Sequence, residues 1–400
     1  MFNLKSKLDY NLNIALKQNA YQRYRVFIKC KKLFSSMVKK VSHFKGALIY
    51  PLESCNMIVA NLNKYEIKSI LEYPEIEKIF FDDYLFLCGM SVSSANNCYS
   101  LSKYSNNKYS GANIKIGLVD SGVFPHQDLL SPHNCIENFY DVVSGLEHPY
   151  DDNGHGTAMA GIICGSGLSS DSMYRGIAPS SKIVCSKAFD ALGKGYASDI
   201  IYSIENLIKI SKEKNIRILC LPFELLNHNI YIIDAFNAVF DFANKNRVIP
   251  VLPSGSTNSN SNNIMGIATL KNCITVGGVD SKNSLSPYLY SSKGPYGKVN
   301  KPDLVTACVN ITSLNTDKNF ISEKDGIKLY PKKLDANYKT FSGTSLSVAF
   351  VSAVCALILE YNESFNFSDV LSVLKLACDP KEFPKANVGA GIFNFNKLLQ

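Results

Sequence analysis

Residues 114–122 read IKIGLVDSG, a short apolar run that ends in an acid and a Ser-Gly turn. Strand-forming residues passing straight into Asp120 place a carboxylate at the carboxyl end of a strand. The same texture continues along the chain. Short apolar segments at 182–188, 216–221, 248–252 and 273–279 alternate with helical patterns near 197–213 and 231–245. That alternation predicts a doubly wound, mostly parallel α/β domain over 111–400. Ligands of such sheets bind beyond the carboxyl ends of the strands, so the surroundings of Asp120 are where chemistry is expected.

Upstream, residues 24–83 follow a different order. RVFIK (25–29) alternates as a strand and 31–41 has helical spacing. GALIYPL and NMIVANL, interrupted at 53–55, read as a hairpin, and a helix at 66–73 precedes a last strand at 76–81. This βαββαβ order predicts a small ferredoxin-like α+β domain over 24–88. Residues 1–23 form a basic N-terminal segment. Residues 89–110, rich in Ser and Asn and without apolar periodicity, read as a protease-accessible linker.

The net charge of +8 is unevenly placed. Residues 1–50 hold eleven Lys or Arg against Asp9, a balance of +10, so the remainder carries −2. The bulk of the chain gives no electrostatic reason to bind nucleic acid. The twelve cysteines sit singly in mostly apolar surroundings with no metal-ligand CxxC spacing, as expected of buried, reduced thiols in a cytosolic protein. The first residues show no export signal, and the most apolar long run, 349–359 with Ser352 inside it, is too short to cross a bilayer, so no membrane partner is expected.

Two further segments join IKIGLVDSG. In DDNGHGTAMAGIICG, His155 stands between glycines at the start of an apolar helix. In FSGTSLSVAFVSAVCALIL, a Gly-Thr turn leads Ser345 into the first turn of a buried helix. Each has an ordinary reading alone: a turn aspartate, a capping histidine, a helix-initiating serine. Together they supply what nucleophilic catalysis by a hydroxyl needs, a base within reach and a carboxylate to orient that base. The Ser345 backbone N–H, at a helix N-terminus, adds a donor for a developing oxyanion.

VDSG, GHGT and SGTS in this order resemble the subtilisin-like serine proteases, as do PHQDL, YRGIAP, ITVGGVD, SSKGP and KPDL farther along. The resemblance covers about 111–400, and PYDDNGHGT with GAGIFN points to the intracellular AprX-type branch. It implies catalytic roles for Asp120, His155 and Ser345, and an inhibitory propeptide of the family's I9-like kind in 24–88, with Phe86, Leu87 and Cys88 lying in the cleft. It further implies Gly193 and Gly195 on one substrate-binding edge, with Pro222, Phe223 and Glu224 opposite and Ser254 and Gly255 at the specificity pocket. No cofactor is required, and a structural calcium is admissible through Asp128.

The chain departs from the family where an Asn usually serves the oxyanion. Counting back from ITVGG without a gap puts Ser256 there, with Asn258 two residues on as the alternative. Pro222-Phe223-Glu224 stands where Ser-Leu-Gly is usual, exchanging small side chains for large ones and losing a backbone N–H. The expected function is a serine endopeptidase made as a zymogen, of restricted specificity, with peptide or protein substrates and its own propeptide as partners. The alternative is a catalytically weak pseudoprotease that binds peptides or regulates a partner.

Overall fold

The computed structural model describes the chain apart from residues 1–6, 89, 93–107, 257–262, 282–284, 296, 381–382 and 399–400. Its centre is a sheet in which eight parallel strands follow the order Ile392–Phe393, Leu304–Ala307, Ile274–Asp280, Ile249–Pro253, Ile216–Cys220, Lys115–Asp120, Lys182–Lys187, Ile136–Asp141. The chain first builds to one side of Lys115–Asp120 and then to the other. Asp120 therefore ends the strand at which the winding reverses, where a doubly wound sheet opens a crevice.

Alternating side chains serve two cores. Ile116 and Leu118 face the helices His155–Cys164 and Thr344–Tyr361. Val119 and Leu219 face Ala197–Lys209 and Ile230–Lys245 on the opposite side. Thr344–Tyr361 is long and apolar enough to cross a membrane, but it is packed inside the protein, with every residue from Thr344 to Leu359 buried.

The N-terminal region has the expected βαββαβ order. Its antiparallel sheet runs Leu48–Leu52, Met57–Leu62, Tyr24–Cys30, Ile76–Phe81, with the helices Phe34–Ser42 and Lys64–Leu71 between strands. Val26 and Ile28 point into its own core, while Phe27 and Phe80 stack against each other and join the cluster around Ala197–Lys209 and Ile230–Lys245. The basic segment 1–23 is more than a tail: Asp9 caps a helix, Tyr10–Gln18, whose Leu12 and Leu16 are buried in the same core as Val26.

Polar contacts hold this region to the main domain. Arg25 bonds Asp82 and Asp199, each at 2.6 Å, and its guanidinium lies 4.1 Å from the centre of the Tyr196 ring. Asp82 also accepts from the backbone and hydroxyl of Ser198, in the first turn of Ala197–Lys209, where a carboxylate suits the helix dipole. Ser54 donates to Glu205 at 2.8 Å, and Tyr50 stacks on Tyr202.

The segment 89–110 departs from the linker expectation at its start. Met90–Val92 is a strand, antiparallel to Tyr338–Ser342. Its alternation was too short to register in the sequence, because the partner strand supplies the order.

Candidate active site

Asp120, buried at the end of its strand, accepts from its neighbour Ser121 N–H at 2.7 Å. The two oxygens of Asp120 lie 2.8 and 2.9 Å from His155 Nδ1, which fixes that nitrogen as the protonated one and turns Nε2 outward. Burial pulls the His155 pKa down, and the charge and hydrogen bonding of Asp120, with the Cys88 carbonyl and the Asp151 charge, more than offset it, so the net shift is upward. The histidine can sit this close because Gly156 has no side chain: a Cβ there would meet the Gly122 carbonyl oxygen at 2.0 Å.

Asp151 and Lys187 hold this corner, and sequence reading missed both as parts of the site. Asp151 accepts from Ser121 Oγ (2.9 Å), Gly154 N (2.7 Å), Thr157 N (2.9 Å) and Thr157 Oγ1 (2.6 Å), satisfying donors that a helix start leaves open. Lys187, wholly buried, donates to Ser121 O (2.7 Å), Phe189 O (3.0 Å) and Asp152 Oδ1 (2.6 Å). The available signals were an Asp four residues before a helical histidine and a lone Lys closing an apolar strand.

Ser345 enters through Gly343, whose φ of 150° and ψ of 155° suit glycine and hand the strand Tyr338–Ser342 to the helix Thr344–Tyr361. Its N–H is among the first of that helix, without an intrahelical acceptor. Its hydroxyl is within hydrogen-bond reach of two carbonyl oxygens, that of Cys88 and that of Pro222 at 3.0 Å. His155 Nε2 lies 3.4 Å from the same Cys88 oxygen. Histidine, serine and one peptide carbonyl thus converge, beside a cavity of about 170 Å³ lined by Cys88, Asn153, His155, Thr316, Phe341 and Ser345.

Cys88 reaches this point on an inserted strand. Tyr84–Leu87 is antiparallel to Lys194–Tyr196 on one side and Phe223–Glu224 on the other. Gly195 pairs with Leu85, and Gly193 O accepts from Leu87 N at 3.0 Å. Pro222 lacks an N–H, but its carbonyl accepts from Cys88 N at 3.3 Å, so the edge still binds main chain. Met90–Val92 continues the extended path along Tyr338–Ser342.

The pocket differs from the sequence expectation in three ways. The Phe223 ring is buried against Phe189 and Phe236, so this residue offers only its main chain to the cleft. The Ser254 hydroxyl bonds Ser291 at 3.1 Å. The Ser256 hydroxyl, assigned from sequence to the oxyanion, donates to Glu224 Oε1 at 3.0 Å, while Ser256 N donates to Oε2 at 2.9 Å. A carboxylate in reach captures a hydroxyl proton more strongly than a neutral carbonyl does. Asn258 lies outside the described residues.

Asp128 does not fit a calcium ion. Its carboxylate already accepts from Ser169 N (3.0 Å), Ser169 Oγ (2.5 Å) and the Tyr338 hydroxyl, donors that a cation would have to displace. Among the described residues no group of three or more His, Cys, Asp or Glu could hold a metal. The eleven described cysteines are buried and form no disulfide.

The model of the subtilase family matches residues 111–391. This chain belongs to the subtilase family. Serine protease AprX of Bacillus subtilis (strain 168) is 31% identical over 297 residues, 71% of this chain and 65% of AprX. M-protease of Shouchella clausii (strain KSM-K16) is 24% identical over 328 residues, 82% of this chain and 75% of that protein. Among solved structures, fervidolysin from Fervidobacterium pennivorans, described as a keratinolytic enzyme related to subtilisin, superposes with a TM-score of 0.71 at 16% identity. That alignment covers 95% of this subtilase and 61% of the fervidolysin chain. The chain thus spans less than two thirds of either AprX or fervidolysin.

Proposed function

We propose that this subtilase is a serine endopeptidase acting on peptides or proteins, made as a zymogen whose segment 84–88 fills its own cleft. The observation that carries the reading is the Cys88 carbonyl, held on an inserted strand at Ser345 and His155. Ser345 Oγ attacks that carbonyl carbon while His155 Nε2 takes the hydroxyl proton, and Asp120 keeps the imidazole in the right tautomer. The Ser345 N–H and the helix dipole stabilise the oxyanion. Collapse breaks the bond to Gly89, His155 returns the proton to the departing amine, and water hydrolyses the acyl-enzyme. No step calls for a cofactor.

Strand addition on both sides of the cut bond supports an endopeptidase, because an exopeptidase needs a closed end to hold a terminus. The Ser256–Glu224 bond favours a second reading, a weak enzyme that mainly binds peptides, since it occupies the expected second oxyanion donor. Labelling with a fluorophosphonate probe separates the two. The peptidase reading expects labelling that Ser345→Ala abolishes; equal labelling of both proteins, or none of either after the N-terminal region has been removed, contradicts it.

A further inference from the structure

The cavity beside His155 and Ser345 also touches Phe341 and two lysines, Lys318 and Lys339, and no Asp or Glu is among its described lining residues. Lys339 and Phe341 stand two apart in the strand Tyr338–Ser342, so they share one of its faces. Lys318 arrives on the loop that follows Ile311–Leu314. That loop is pinned at three points: Asn315 N donates to Asn337 O at 2.9 Å, Thr316 Oγ1 donates to Asp151 O at 3.3 Å, and the Phe320 ring meets Phe124 edge-on at 5.4 Å. Lys318 Cε thereby lies 3.6 Å from where a Cβ on Gly154 would sit, one residue before His155. No carboxylate pairs with either ammonium among the described residues. Of the acids in this region, Asp120 is engaged by His155, Asp151 by the start of the His155–Cys164 helix, and Asp317 Oδ1 by Asn319 N at 3.0 Å.

The register of Met90–Val92 on Tyr338–Ser342 says which substrate residues meet this face. Phe341 pairs with position 91, the third residue after the cut bond, and directly opposed residues of an antiparallel pair share a face. In an extended peptide the first residue after the cut shares it too, and the second points away. The chain's own residues at the first and third positions are Gly89 and Ser91, and 89–110 contains no Asp or Glu.

We propose that Lys318 and Lys339 select substrates that carry an acidic side chain at the first or third position after the cut bond. This selectivity rests on the peptidase reading and names its substrate class. Two ammonium groups without a counter-charge attract a carboxylate and repel a cationic side chain. A hydrogen bond to an ionised acceptor is about twice as strong as a neutral one, so Glu should be preferred over Gln of the same shape. The chain's own segment forgoes this attraction, and its cleavage relies on tethering instead.

The test uses the peptide Tyr-Leu-Phe-Leu-Cys-Gly-Met-Ser-Val, residues 84–92, with Glu, Gln or Lys in turn at positions 89, 90 and 91, and reads kcat/KM. Gly89→Glu and Ser91→Glu should exceed the matching Gln peptides by about 10-fold, with the Lys peptides lowest, while Met90→Glu and Met90→Gln should agree within about 2-fold. An enzyme carrying Lys318→Glu and Lys339→Glu together should reverse the order at 89 and 91, placing Lys above Glu, a change that damage to the fold would not produce. Equal Glu-to-Gln ratios at all three positions, a wild-type preference for Lys, an order that survives the charge reversal, or hydrolysis of no peptide by protein that the fluorophosphonate probe labels overturns the selectivity and leaves the peptidase reading standing. Hydrolysis of no peptide by protein that also resists the probe overturns both.

Discussion

The hydroxyl of Ser345 meets the main-chain carbonyl of Cys88, a residue 257 positions earlier in the same chain. The contact depends on elements from both parts of the molecule. Tyr84–Leu87 leaves the N-terminal sheet to pair with Lys194–Tyr196 and Phe223–Glu224, and Met90–Val92 continues along Tyr338–Ser342. Under the proposed function, this strand, with a histidine and a serine at the Cys88 carbonyl oxygen, is the first substrate.

The acid limb of activity should report His155. The imidazole must be neutral to accept a proton, and the Asp120 carboxylate, with the Cys88 carbonyl and the Asp151 charge, outweighs burial to hold its pKa above the ordinary 6.5. Activity as kcat/KM should therefore rise with pH along a limb centred above 6.5. Asp120→Asn removes the group that favours the imidazolium and leaves the burial that disfavours it. Its residual activity should have a limb shifted to lower pH and a kcat reduced by about 10⁴-fold. A pH–rate profile of the two proteins checks this, and an unshifted limb in the variant would show that another group titrates.

Ser256 should matter little as it stands. Its hydroxyl proton is held by Glu224, so Ser256→Ala should change kcat by less than about 3-fold, far short of the 10²- to 10³-fold cost of losing a working oxyanion donor. Ser256→Asn offers an amide with two N–H bonds, one of which can turn to the oxyanion, and should raise kcat with little change in KM. Steady-state kinetics of both variants decide the point. A large loss in Ser256→Ala would mean that the hydroxyl leaves Glu224 during turnover.

Arg25 should anchor the N-terminal region. Arg25→Ala leaves Asp82 buried without its counter-charge and should cost about 3 kcal/mol, the lower end for a broken buried pair, read as a lower urea midpoint. Burial, opposed by Arg25 and Ser198, pushes the Asp82 carboxyl up to about 6 from 3.8. A raised carboxyl pKa contributes stability that is complete below about 3.8 and lost as pH rises through about 6. Asp82→Asn should flatten that part of the stability curve, as urea titrations at several pH values would show.

Much of this arrangement was legible in the sequence because it is local. The strand 114–119 and the helix near 231–245 are set by apolar spacing, and they reappear as Lys115–Asp120 and Ile230–Lys245. The placement of Asp120, His155 and Ser345 followed from chemistry that no single segment explains. Contacts between distant segments left no comparable trace. Nothing in the pattern around Phe223 says that its ring turns to Phe189, and nothing near Ser256 says that Glu224, 32 residues earlier, takes its proton. Met90–Val92 looked unstructured because three residues of alternation carry no signal until a neighbouring strand pairs with them.

The central claim is that Ser345 cuts the chain that occupies its cleft, and mass spectrometry of purified full-length protein tests it most directly. Wild type should yield a new N-terminus at Gly89 and a released fragment ending at Cys88, while Ser345→Ala remains intact. The substrate is tethered beside the nucleophile, so one turnover can occur even with a weak oxyanion site. A wild type that stays as long as Ser345→Ala, or a Ser345→Ala protein cut at the same bond, would contradict the account.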